Sequence, residues 1–446
     1  MRPTAHEYTR EARTEVVHED FRARALTLLD QNTQHVIRGE TMYRFAAPTS
    51  DAAVNMYRIP PLQWTGWDSQ LHAIVFAACG DVSRATDELR SIFANQREDG
   101  FIPHVSFWET RNLPSWAYLE SPGLFRWVPG RERPTGTANI QPPLLAQAVE
   151  RVWKESHEDA ALLTEWLFPL AKYYRWLAEH RDPDGDGLIS VLSQNETGLD
   201  YSPAYDSVIG YRLNDAEKKL HRGSRNVRRQ NKWLFRHNPR WIYRFKETHV
   251  EDVLVNSIYI KNLAIVARLA RIAGETALET WAADHVSRAT FALLTKSYDA
   301  HAGVFWNLAG KHERPVRVKT IISLMPLIID DLPRNIADEL VAHLTNPEEF
   351  WTPYPVPSTA RSEPAFVADS IVDGVLRIWR GPLSMNTNWY LVHALRQHGY
   401  VDVADSIAEK SRELVRRSGF NEFYNPNTGE PCGADQFGWA TLVADM

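Results

Sequence analysis

The chain has 446 residues, of which 44% are hydrophobic and 24% are charged, and its formal net charge is −6. This composition predicts a globular protein with a large core, and the negative balance argues against a general nucleic-acid-binding protein. Two cysteines, Cys79 and Cys432, are too few for a disulfide scaffold, and 16 tryptophans with 16 tyrosines give a high aromatic content. Aromatic rings pack protein cores and also stack on the apolar faces of sugars.

No stretch of the sequence suggests export or membrane insertion. The opening MRPTAHEYTREARTEVV contains no apolar segment of the kind found in signal peptides. No window approaches about 18 uninterrupted apolar residues, the length that a membrane-spanning helix requires. We therefore expect a cytoplasmic protein with neither a membrane nor a nucleic acid as partner, and the oligomeric state stays open.

Helical periodicity dominates the chain. Apolar residues recur at i, i+3, i+4 and i+7, the spacing that places them on one face of an α-helix. The predicted helices span 19–30, 69–79, 83–95, 142–155, 162–177, 254–269, 279–295, 333–344, 388–395 and 403–415. Convincing alternating strands are scarce, and the loops between helices are long and rich in Gly, Pro and Trp. We predict one all-α domain over residues 1–446, with roughly a dozen helices and with its function carried on these loops.

One segment, 215–250, differs from the rest of the chain. Its central part, RGSRNVRRQNKWLFRHNPRWIYRFK at 222–246, is strongly basic and aromatic and has a poor apolar pattern. We interpret it as an insertion within the single domain rather than as a domain boundary. Two interpretations of its role stay open: a solvated insertion, or a lid whose arginines bind an anionic group of a ligand.

The acidic run DPDGDGL at 182–188 is similar to the start of a calcium-binding loop. Asp182, Asp184 and Asp186 take positions 1, 3 and 5 of an EF-hand-like pattern, and Gly187 takes position 6. Position 12 requires a bidentate glutamate, but Ser193 stands there. We therefore favour a turn that ends the preceding helix and expect neither a metal nor another cofactor, with a structural calcium ion as the alternative.

Two tryptophans and a carboxylate lie together in QWTGWDS at 63–69. Asp68 or Ser69 could serve as the N-cap of the helix that follows. That role does not explain Trp64 and Trp67, because two aromatic rings and one carboxylate on a loop can also hold a sugar. Both interpretations stay open at this point.

Two further loops carry carboxylates outside any helical pattern. NETGLDYSP at 195–203 contains Glu196 and Asp200, and GFNEFYNPNTGEP at 419–431 contains Glu422 and Glu430. Hydrolysis of a glycosidic bond needs two carboxyl groups on opposite faces of the sugar. One protonates the leaving oxygen, and the other activates water or attacks carbon. Asp200 and Glu422 come from distant loops, as two opposed walls require, and rank slightly above the other acids.

Taken together and in this order, six stretches resemble glycoside hydrolase family 63, in particular its compact mannosylglycerate and glucosylglycerate hydrolases. They run from about residue 43 to the C-terminus: QWTGWDS, DGFIPH, DPDGDGL, ETGLDYSP, WRGP with NTNW, and EFYNP…GEP…QFGW. The resemblance implies an (α/α)6 barrel of six inner and six outer helices, with long catalytic loops at one mouth. It also implies an inverting mechanism on α-linked sugars.

The resemblance also implies roles for individual residues of this chain. Asp200 matches the family's general acid, and Glu422 matches its general base. Asp68 matches a residue that holds sugar hydroxyls, and Glu196 is implied as a hydrogen-bonding support. The substrate-binding set implied in this way is Trp64, Trp67, Asp68, Gln141, Glu196, Trp379, Arg380 and Gln436.

Two positions depart from the family pattern. Ile378 stands where an aromatic residue usually precedes the Trp of WRGP, and Ser384 stands where a Trp usually follows its Pro. A different or larger group on the acceptor side is compatible with this change. We predict an inverting, exo-acting α-glycosidase of short α-linked glucosides or mannosides, including those with an acidic aglycone such as glycerate. The alternatives are an α-glucosidase of disaccharides or oligosaccharides, a sugar epimerase or uronyl hydrolase on a similar barrel, and a catalytically inactive carbohydrate-binding barrel.

Overall fold

The computed structural model of the protein describes residues 20–49, 61–110, 113, 115–121, 134–213, 218–235, 237–246, 248–372 and 374–446. The α-helices in this part are α1 (20–31), α2 (Asp68–Ala78), α3 (Val82–Phe93), α4 (Ser115–Glu120), α5 (Leu145–Glu155), α6 (Ala160–Arg181), α7 (Lys218–Trp233), α8 (Pro239–Phe245), α9 (Val253–Ala273), α10 (Thr276–Ala292), α11 (Arg334–Leu344), α12 (Met385–Gln397) and α13 (Val401–Ser418). Each helix predicted from apolar spacing is present, with ends that differ by a few residues. The prediction of a mainly helical chain is confirmed.

Short strands and tight helical turns connect the helices. The strands are β1 (Thr33–Arg38), β2 (Thr41–Ala46), β3 (Leu62–Gln63), β4 (Ser106–Phe107), β5 (Ser190–Val191), β6 (Val250–Glu251), β7 (Tyr298–Asp299), β8 (Val304–Phe305), β9 (Asn307–Ala309), β10 (Arg314–Val316), β11 (Ile371–Val372), β12 (Val375–Leu376), β13 (Asn421–Tyr424) and β14 (Pro431–Asp435). One sheet has four strands in the order β10-β9-β6-β5, and the other strands form two-stranded pairs. Most strands are too short for an alternating pattern to identify them in the sequence. The 3-10 turns are 194–196, 203–205, 321–328 and 438–445, and a π turn covers 293–297.

Six elements contact one another in a closed circuit. In order they are α2, α5, α9, the 3-10 segment 321–328, α12 and the 3-10 segment 438–445, which packs back against α2. Each of α3, α6, α10, α11 and α13 packs against at least one member of this circuit. Every residue of α2 and of 321–328 is buried, whereas α3 buries only one face. An element that is buried all round lies inside a fold, so α2 and 321–328 belong to the interior, whereas α5 and α3 each bury one face.

The interior helix α9 is long and apolar. By length and composition it could cross a membrane, but 83% of its most apolar stretch is buried inside the protein. Asp252 caps its N-terminus by accepting a hydrogen bond from the backbone N–H of Val255, and Gly274 follows its last turn in a left-handed conformation. Since α5, α6 and α10 all pack against it, α9 has the surroundings of a core helix.

The basic segment 215–250 contains the two helices α7 and α8, which apolar spacing did not predict. Leu220, Val227 and Asn231 are buried, so α7 has one inward face while most of its arginines remain exposed. α7 contacts α4, and Asn231 Nδ2 donates a hydrogen bond of 2.9 Å to the carbonyl oxygen of Leu192. The large cluster of buried apolar side chains extends from Phe21 to Met446. The segment is therefore attached to a body with one main core.

Candidate active site

Asp68 lies at the start of α2, beside Trp67. Trp67 occupies the N-cap position and Asp68 is the first helical residue, so the expectation that Asp68 or Ser69 caps this helix is wrong. Asp68 is only 4% exposed, and its Oδ1 atom has no hydrogen-bond partner among the described residues. Burial, with a smaller contribution from the charge of Glu422, raises the pKa of Asp68 to about 8. A carboxyl group with these properties is free to bond a ligand.

Gln141 joins the start of α2 to the NETGLDYSP loop. A Cβ atom on Gly66 would lie 2.7 Å from Cβ of Gln141, so glycine is required at this close approach. On the loop side, Gln141 Nε2 donates a hydrogen bond of 2.5 Å to the carbonyl oxygen of Asn195. Gly198 has a φ of 73°, and a Cβ atom there would lie 3.2 Å from Gln141 Oε1 and 3.7 Å from the Trp67 ring. The predicted residues Trp67 and Gln141 therefore lie against this loop.

Glu196 is held by four hydrogen bonds from the protein. Nη1 and Nη2 of Arg181 each donate one at 2.7 Å, and the backbone N–H groups of Ile140 and Leu192 donate at 3.0 and 2.7 Å. Arg181 is 2% exposed and Glu196 is 1% exposed. A buried ion pair is tolerated when further hydrogen bonds satisfy its atoms, as they do here. This geometry agrees with a supporting role for Glu196 rather than with direct contact to a sugar.

Asp200 lies four residues further along the same loop. Its Oδ1 atom is buried and has no hydrogen-bond partner in the part of the chain that the structure describes. Burial raises the pKa of Asp200 to about 6, while the positive charge of Arg228 lowers it and the negative charge of Glu120 raises it. The side chain therefore holds its proton more tightly than an ordinary aspartate does.

Arg380 fixes the backbone immediately after Asp200. Its Nη1 atom donates hydrogen bonds of 2.9 Å to the Tyr201 carbonyl oxygen and to Asp206 Oδ1, and its Nη2 atom donates one of 2.6 Å to Asp206 Oδ2. Arg380 is fully buried, so this two-pronged contact with Asp206 is shielded from water. The predicted sugar-binding residue Arg380 thus bonds the loop that carries Asp200.

Glu422 lies at an irregularity in the β13–β14 pair. Between the pairs Asn421–Asp435 and Phe423–Cys432 the register shifts, so that Glu422 of β13 faces two residues of β14, Gly433 and Ala434, in a β-bulge. Its Oε2 atom accepts a hydrogen bond of 3.0 Å from the backbone N–H of Ala434. Burial raises the pKa of Glu422 to about 7, and that hydrogen bond opposes the rise. The extra residue of the bulge lies on β14, and the N–H of its Ala434 is the donor that holds the Glu422 carboxylate.

Asp68, Asp200 and Glu422 interact through their charges. The negative charge of Asp200 raises the pKa of Glu422, and that of Glu422 raises the pKa of Asp68. Arg380 bonds the carbonyl oxygen of Tyr201, next to Asp200, and the ring of the adjacent Trp379 packs against Phe423, next to Glu422. The loops of Asp200 and Glu422, more than two hundred residues apart in the chain, therefore meet at Trp379 and Arg380.

Of the seven described residues with a side chain and a left-handed φ, three lie at or beside predicted site residues. Tyr201, Trp379 and Gln436 have φ values of 66°, 60° and 50°, in the left-handed region. Residues with a side chain rarely adopt this conformation, which costs of order 1–3 kcal/mol and recurs at functional sites. Asp200 directly precedes Tyr201, and Arg380 directly follows Trp379, so the strain falls beside functional candidates.

The remaining predicted residues differ in exposure. Trp379 is 1% exposed, and its ring meets that of Phe423 edge to face at 5.0 Å, beside Glu422. Trp64 is half-buried against a small satellite cluster of apolar side chains. Gln436 is exposed, and its carbonyl oxygen accepts a hydrogen bond of 3.2 Å from Asn32 Nδ2. Of the predicted set, Gln436 is the residue most open to solvent.

Comparison with known proteins places this site in a family. The family model for the mannosylglycerate hydrolase MGH1-like glycoside hydrolase domain matches residues 61–440. The chain belongs to this family. It is therefore a glycoside hydrolase, and the resemblance stated from its motifs is confirmed.

Individual relatives agree with this assignment over nearly the whole chain. Mannosylglycerate hydrolase MGH1 of Selaginella moellendorffii is 30% identical over 419 residues, which cover 87% of this chain and 81% of that protein. The glucosylglycerate hydrolase of Mycolicibacterium hassiacum is 24% identical over 462 aligned positions, which cover 94% of this chain and 97% of that protein. A crystal structure of the GH63 mannosylglycerate hydrolase from Thermus thermophilus, in complex with glucose, has a TM-score of 0.77 at 26% identity. The match covers 95% of this chain and 98% of that one.

In this glycoside hydrolase, one of the two departures from the family pattern, Ser384, contacts Glu422. Ser384 is buried, and its Oγ atom donates a hydrogen bond of 3.1 Å to the Glu422 carbonyl oxygen. Ile378 is 8% exposed and precedes the strained Trp379. Ser384 therefore takes part in holding the Glu422 strand through its small hydroxyl side chain.

Several residues that hold the site were not predicted. Arg181 directly precedes DPDGDGL and Asp206 lies just beyond NETGLDYSP, but neither residue was assigned a role from these stretches. Glu120 and Arg228 form an ion pair with 3.2 Å between Oε1 and Nη1, and both charges act on Asp200. Glu120 and Arg228 lie on α4 and α7, which apolar spacing did not identify, so their proximity could not be predicted.

The DPDGDGL loop forms the turn that its sequence favoured. Asp182 is the C-cap residue of α6, and its carboxylate accepts hydrogen bonds of 2.8 and 3.0 Å from the backbone N–H groups of Gly185 and Gly187. Asp186 accepts one of 2.7 Å from the N–H of Leu188. Asp182 therefore serves the turn itself.

Proposed function

We propose that the protein is an (α/α)6-barrel enzyme that hydrolyses short α-linked glucosides or mannosides with inversion at the anomeric carbon. The closed circuit of interior elements supports the barrel, since helices that pack against it would form the outer layer. The observation that carries the catalytic proposal is that two buried carboxyl groups from separate loops, Asp200 and Glu422, lie on either side of the Trp379–Arg380 pair, which contacts both loops. Glycoside hydrolysis requires two such carboxyls, one that holds its proton and one that is ionised.

In this proposal Asp200 is the general acid and Glu422 is the general base. Asp200 donates its proton to the glycosidic oxygen as the bond from that oxygen to the anomeric carbon breaks. Glu422 takes a proton from a water molecule that attacks the opposite face of the sugar. The products are a sugar of inverted configuration and the free aglycone alcohol. The water needs room between the two carboxyls, which inverting enzymes hold roughly 6.5–9.5 Å apart.

Asp68 holds the sugar in this scheme. Its Oδ1 atom is buried without a partner among the described residues, a situation that costs about 1–3 kcal/mol in the free protein. A sugar hydroxyl that bonds this atom removes the cost, which adds to the free energy of binding. Trp67 and Trp379 contribute apolar faces beside it.

In this scheme the other predicted binding residues mainly position parts of the protein rather than contact the sugar. Gln141, Glu196 and Arg380 orient the loop that bears Asp200, because their polar atoms bond that loop or its neighbours. Trp64 and Gln436 would lie at the periphery of the sugar. A site held in this way keeps the acid in place before substrate arrives.

The aglycone in our proposal is a small acid such as glycerate, bound under the basic segment 215–250. This choice is supported by the relatives named mannosylglycerate hydrolase and glucosylglycerate hydrolase. Within the segment, the ring of His221 lies 4.5 Å from that of Tyr201, the neighbour of Asp200. The arginines of α7 are therefore carried close to the residue that protonates the leaving group. This contact favours the lid over a solvated insertion.

The test is product analysis with matched variants. Proton NMR of the first turnovers on mannosylglycerate and glucosylglycerate should show the β-anomer before mutarotation. Asp200→Asn and Glu422→Gln should each lower kcat by about 10²–10⁴. Glu430→Gln is the control, because its carboxylate lies on the Glu422 loop but is 72% exposed. An initial α-anomer would refute inversion, and nearly full activity of Asp200→Asn would refute its role as the acid.

A second candidate is an α-glucosidase of neutral disaccharides. Ile378 and Ser384 favour it, since the family usually has aromatic residues at both positions. A kcat/KM for a neutral α-glucosyl disaccharide above that for glucosylglycerate would support it. Lack of turnover on every α-glucoside and α-mannoside would instead point to an inactive barrel.

We also propose that the enzyme acts in the cytoplasm as one domain with the 215–250 segment as its lid. Cys79 and Cys432 are both free thiols, which is usual in a reducing compartment. In the cytoplasm the enzyme would encounter a small glycoside as a dissolved solute. Retention of the full chain in the soluble fraction of osmotically shocked cells would check this location.

A further inference from the structure

A cavity of about 560 Å³ lies at the end of the closed circuit that faces away from the carboxyl groups of the candidate active site. α2 begins at Asp68, and α12 begins directly after Ser384, which bonds the Glu422 carbonyl oxygen. The cavity is lined by Ile74 of α2 and by His393 of α12, which lie six and nine residues further along these helices. At 1.5 Å per residue these positions are roughly 9 to 14 Å along the helix axes, so the cavity is separate from the candidate active site.

The cavity has the size and the lining of a small-molecule site. All six elements of the circuit contribute side chains to it, from α2 to the 3-10 segment 438–445. Its most buried large side chains are aliphatic or aromatic, each at most 5% exposed: Ile74, Ile265, Ile328, Trp389 and Tyr390. Ligand pockets are usually about 300–1,000 Å³ in volume and combine such a lining with a few polar groups that orient the ligand. The cavity therefore fits a compact organic molecule.

The charged part of the lining has four cationic and three anionic side chains. The cations are Arg151, Lys154, Lys261 and Arg268. Among the acids, Glu150 is paired at both oxygens: Oε1 accepts a hydrogen bond of 2.6 Å from Arg268 Nε, and Oε2 lies 3.2 Å from Lys154 Nζ. Asp445 is likewise paired at both oxygens, with Arg151 Nη2 at 3.0 Å and with an indole N–H at 2.9 Å. Two of the three acids are therefore fully paired within the protein.

Several hydrogen-bond donors of the lining have no partner in the part of the chain that the structure describes. Arg268 bonds Glu150 through Nε alone, so its Nη1 and Nη2 atoms are unpaired. Arg151 pairs through Nε and Nη2, which leaves its Nη1 atom. Gln147 accepts two hydrogen bonds at Oε1, whereas its Nε2 atom donates none. The groups that remain available are donors, so a ligand here must supply acceptor oxygens.

Lys261 forms a wall of the cavity rather than an available donor. Its Nζ atom donates hydrogen bonds to the Ile328 carbonyl oxygen at 3.2 Å, to Asp330 Oδ1 at 2.9 Å and to Gln397 Oε1 at 3.1 Å. An ammonium group has three donors, so all of them are used. These bonds connect α9 to α12 and to the end of the 3-10 segment 321–328, which holds this side of the cavity in place.

We propose that this cavity binds a small organic anion, a carboxylate or a phosphate ester, through Arg268, Arg151 and Gln147. A guanidinium group presents paired N–H donors that match the oxygens of a carboxylate or a phosphate. The carbon skeleton of the ligand would lie against Trp389 and Ile265. An anion is favoured over a neutral sugar because hydrogen bonds between charged groups are about twice as strong as neutral ones. The site is independent of the proposed function, since none of its lining residues belongs to the candidate active site.

A bound anion would connect elements that are distant in the sequence. Gln147 and Arg151 lie on α5, Arg268 lies on α9, and Trp389 lies on α12. These groups come together only in the folded protein, and a ligand that binds the folded state alone raises its stability with increasing concentration. The expected effect is therefore a rise in Tm.

The experiment titrates the full-length protein with sodium malonate and, separately, with sodium glycerol phosphate, and follows both the thermal unfolding and the heat of binding. Sodium chloride at the same ionic strength is the reference. We expect a saturable rise in Tm and a heat of binding with at least one of the two anions. A response to malonate alone would assign a carboxylate ligand, and a response to glycerol phosphate alone would assign a phosphate ester. A rise in Tm no larger than that with chloride would overturn the proposal.

Two arginines of α9 provide the matched variants. Arg268→Gln removes the guanidinium group from the cavity and should weaken anion binding by at least about tenfold. Arg271→Gln removes the same charge three residues further along the helix, where the Arg271 side chain is 71% exposed and pairs with Glu279, and should bind the anion as the wild type does. An unchanged affinity in Arg268→Gln would overturn the proposal. Should Arg268→Gln fail to fold, Arg151→Gln is used with the same criteria.

Arg228→Gln tests whether the anion binds under the basic segment instead. Arg228 lies on α7, and its charge acts on Asp200 in the candidate active site. This variant should keep the full response to the anion. A response that is lost in Arg228→Gln and retained in Arg268→Gln would place the anion at the candidate active site and overturn the proposal. Because the measurement is binding rather than turnover, its result does not depend on the proposed glycosidase activity.

Discussion

The stability of Asp68→Asn relative to the wild-type protein should increase as the pH rises, because Asp68 is a buried carboxyl group. Burial raises its pKa from the ordinary 3.8 to about 8. A carboxyl whose pKa is higher in the folded state binds its proton more tightly there than in the unfolded chain. The wild-type protein therefore loses stability as pH rises from about 4 to about 8, and the loss is complete above that range. Asparagine does not titrate, so the variant lacks this loss.

The size of this stability difference follows from the pH range between the ordinary and the raised pKa of Asp68. Each pH unit inside it is worth about 1.4 kcal/mol, so the stability advantage of Asp68→Asn should grow by about 2.7 kcal/mol between pH 5 and pH 7. The assay is urea unfolding of both proteins at the two pH values. Turnover should fall in the same variant, since Asp68 is proposed to hold a sugar hydroxyl. A substitution that raises stability but lowers activity usually marks a residue that serves function and destabilises the fold.

Glu88→Gln is the matched control. Glu88 is 1% exposed, and burial raises its pKa to about 8, but its Oε1 atom accepts a hydrogen bond from the backbone N–H of Ala46 on β2. It should show a similar pH-dependent gain in stability with turnover close to that of the wild type. An advantage of Asp68→Asn that is equal at pH 5 and pH 7 would refute the argument from burial. Loss of turnover in both variants would show that the activity loss reflects altered packing.

Two further predictions concern the loops around the acid and the base. With the pKa of Asp200 at about 6 and that of Glu422 at about 7, kcat/KM should be bell-shaped, because activity needs a proton on Asp200 and none on Glu422. Since Glu422 has the higher pKa, most of the singly protonated enzyme carries its proton there, so only about a tenth of it is in the active form; this lowers the height of the bell but not its shape. The value of kcat/KM should be about twentyfold lower at pH 4.5 and at pH 8.5 than at pH 6.5; a flat profile up to pH 9 would contradict the assignment. Glu196→Gln should lower the free energy of unfolding by about 3–5 kcal/mol, because it leaves the guanidinium of Arg181 buried without its counter-charge. Urea unfolding measures this, and a loss below about 1 kcal/mol would mean that water reaches the pair.

Much of the architecture was predictable because helices are specified by neighbours in sequence. The apolar spacing of 254–269 predicts α9, and that of 403–415 predicts α13, since each pattern lies within one helix. The motifs around Asp200 and Glu422 were predictable for a related reason: each is a short stretch with the composition of a loop. Their order along the chain was enough to indicate the family.

Contacts between distant segments could be decided only by the tertiary structure. The interior circuit is closed by 321–328 and 438–445, whose short 3-10 turns have no period that a sequence pattern can detect. Arg380 matched a sugar-binding position, yet its guanidinium bonds Asp206 and the backbone beside Asp200. Periodicity and motifs record the local chain, whereas ion pairs and unsatisfied buried oxygens depend on which loops meet in space. For this protein the sequence determined most of the helices and the identity of the acid and base candidates, and the fold determined which side chains hold them and which remain free to bind a ligand.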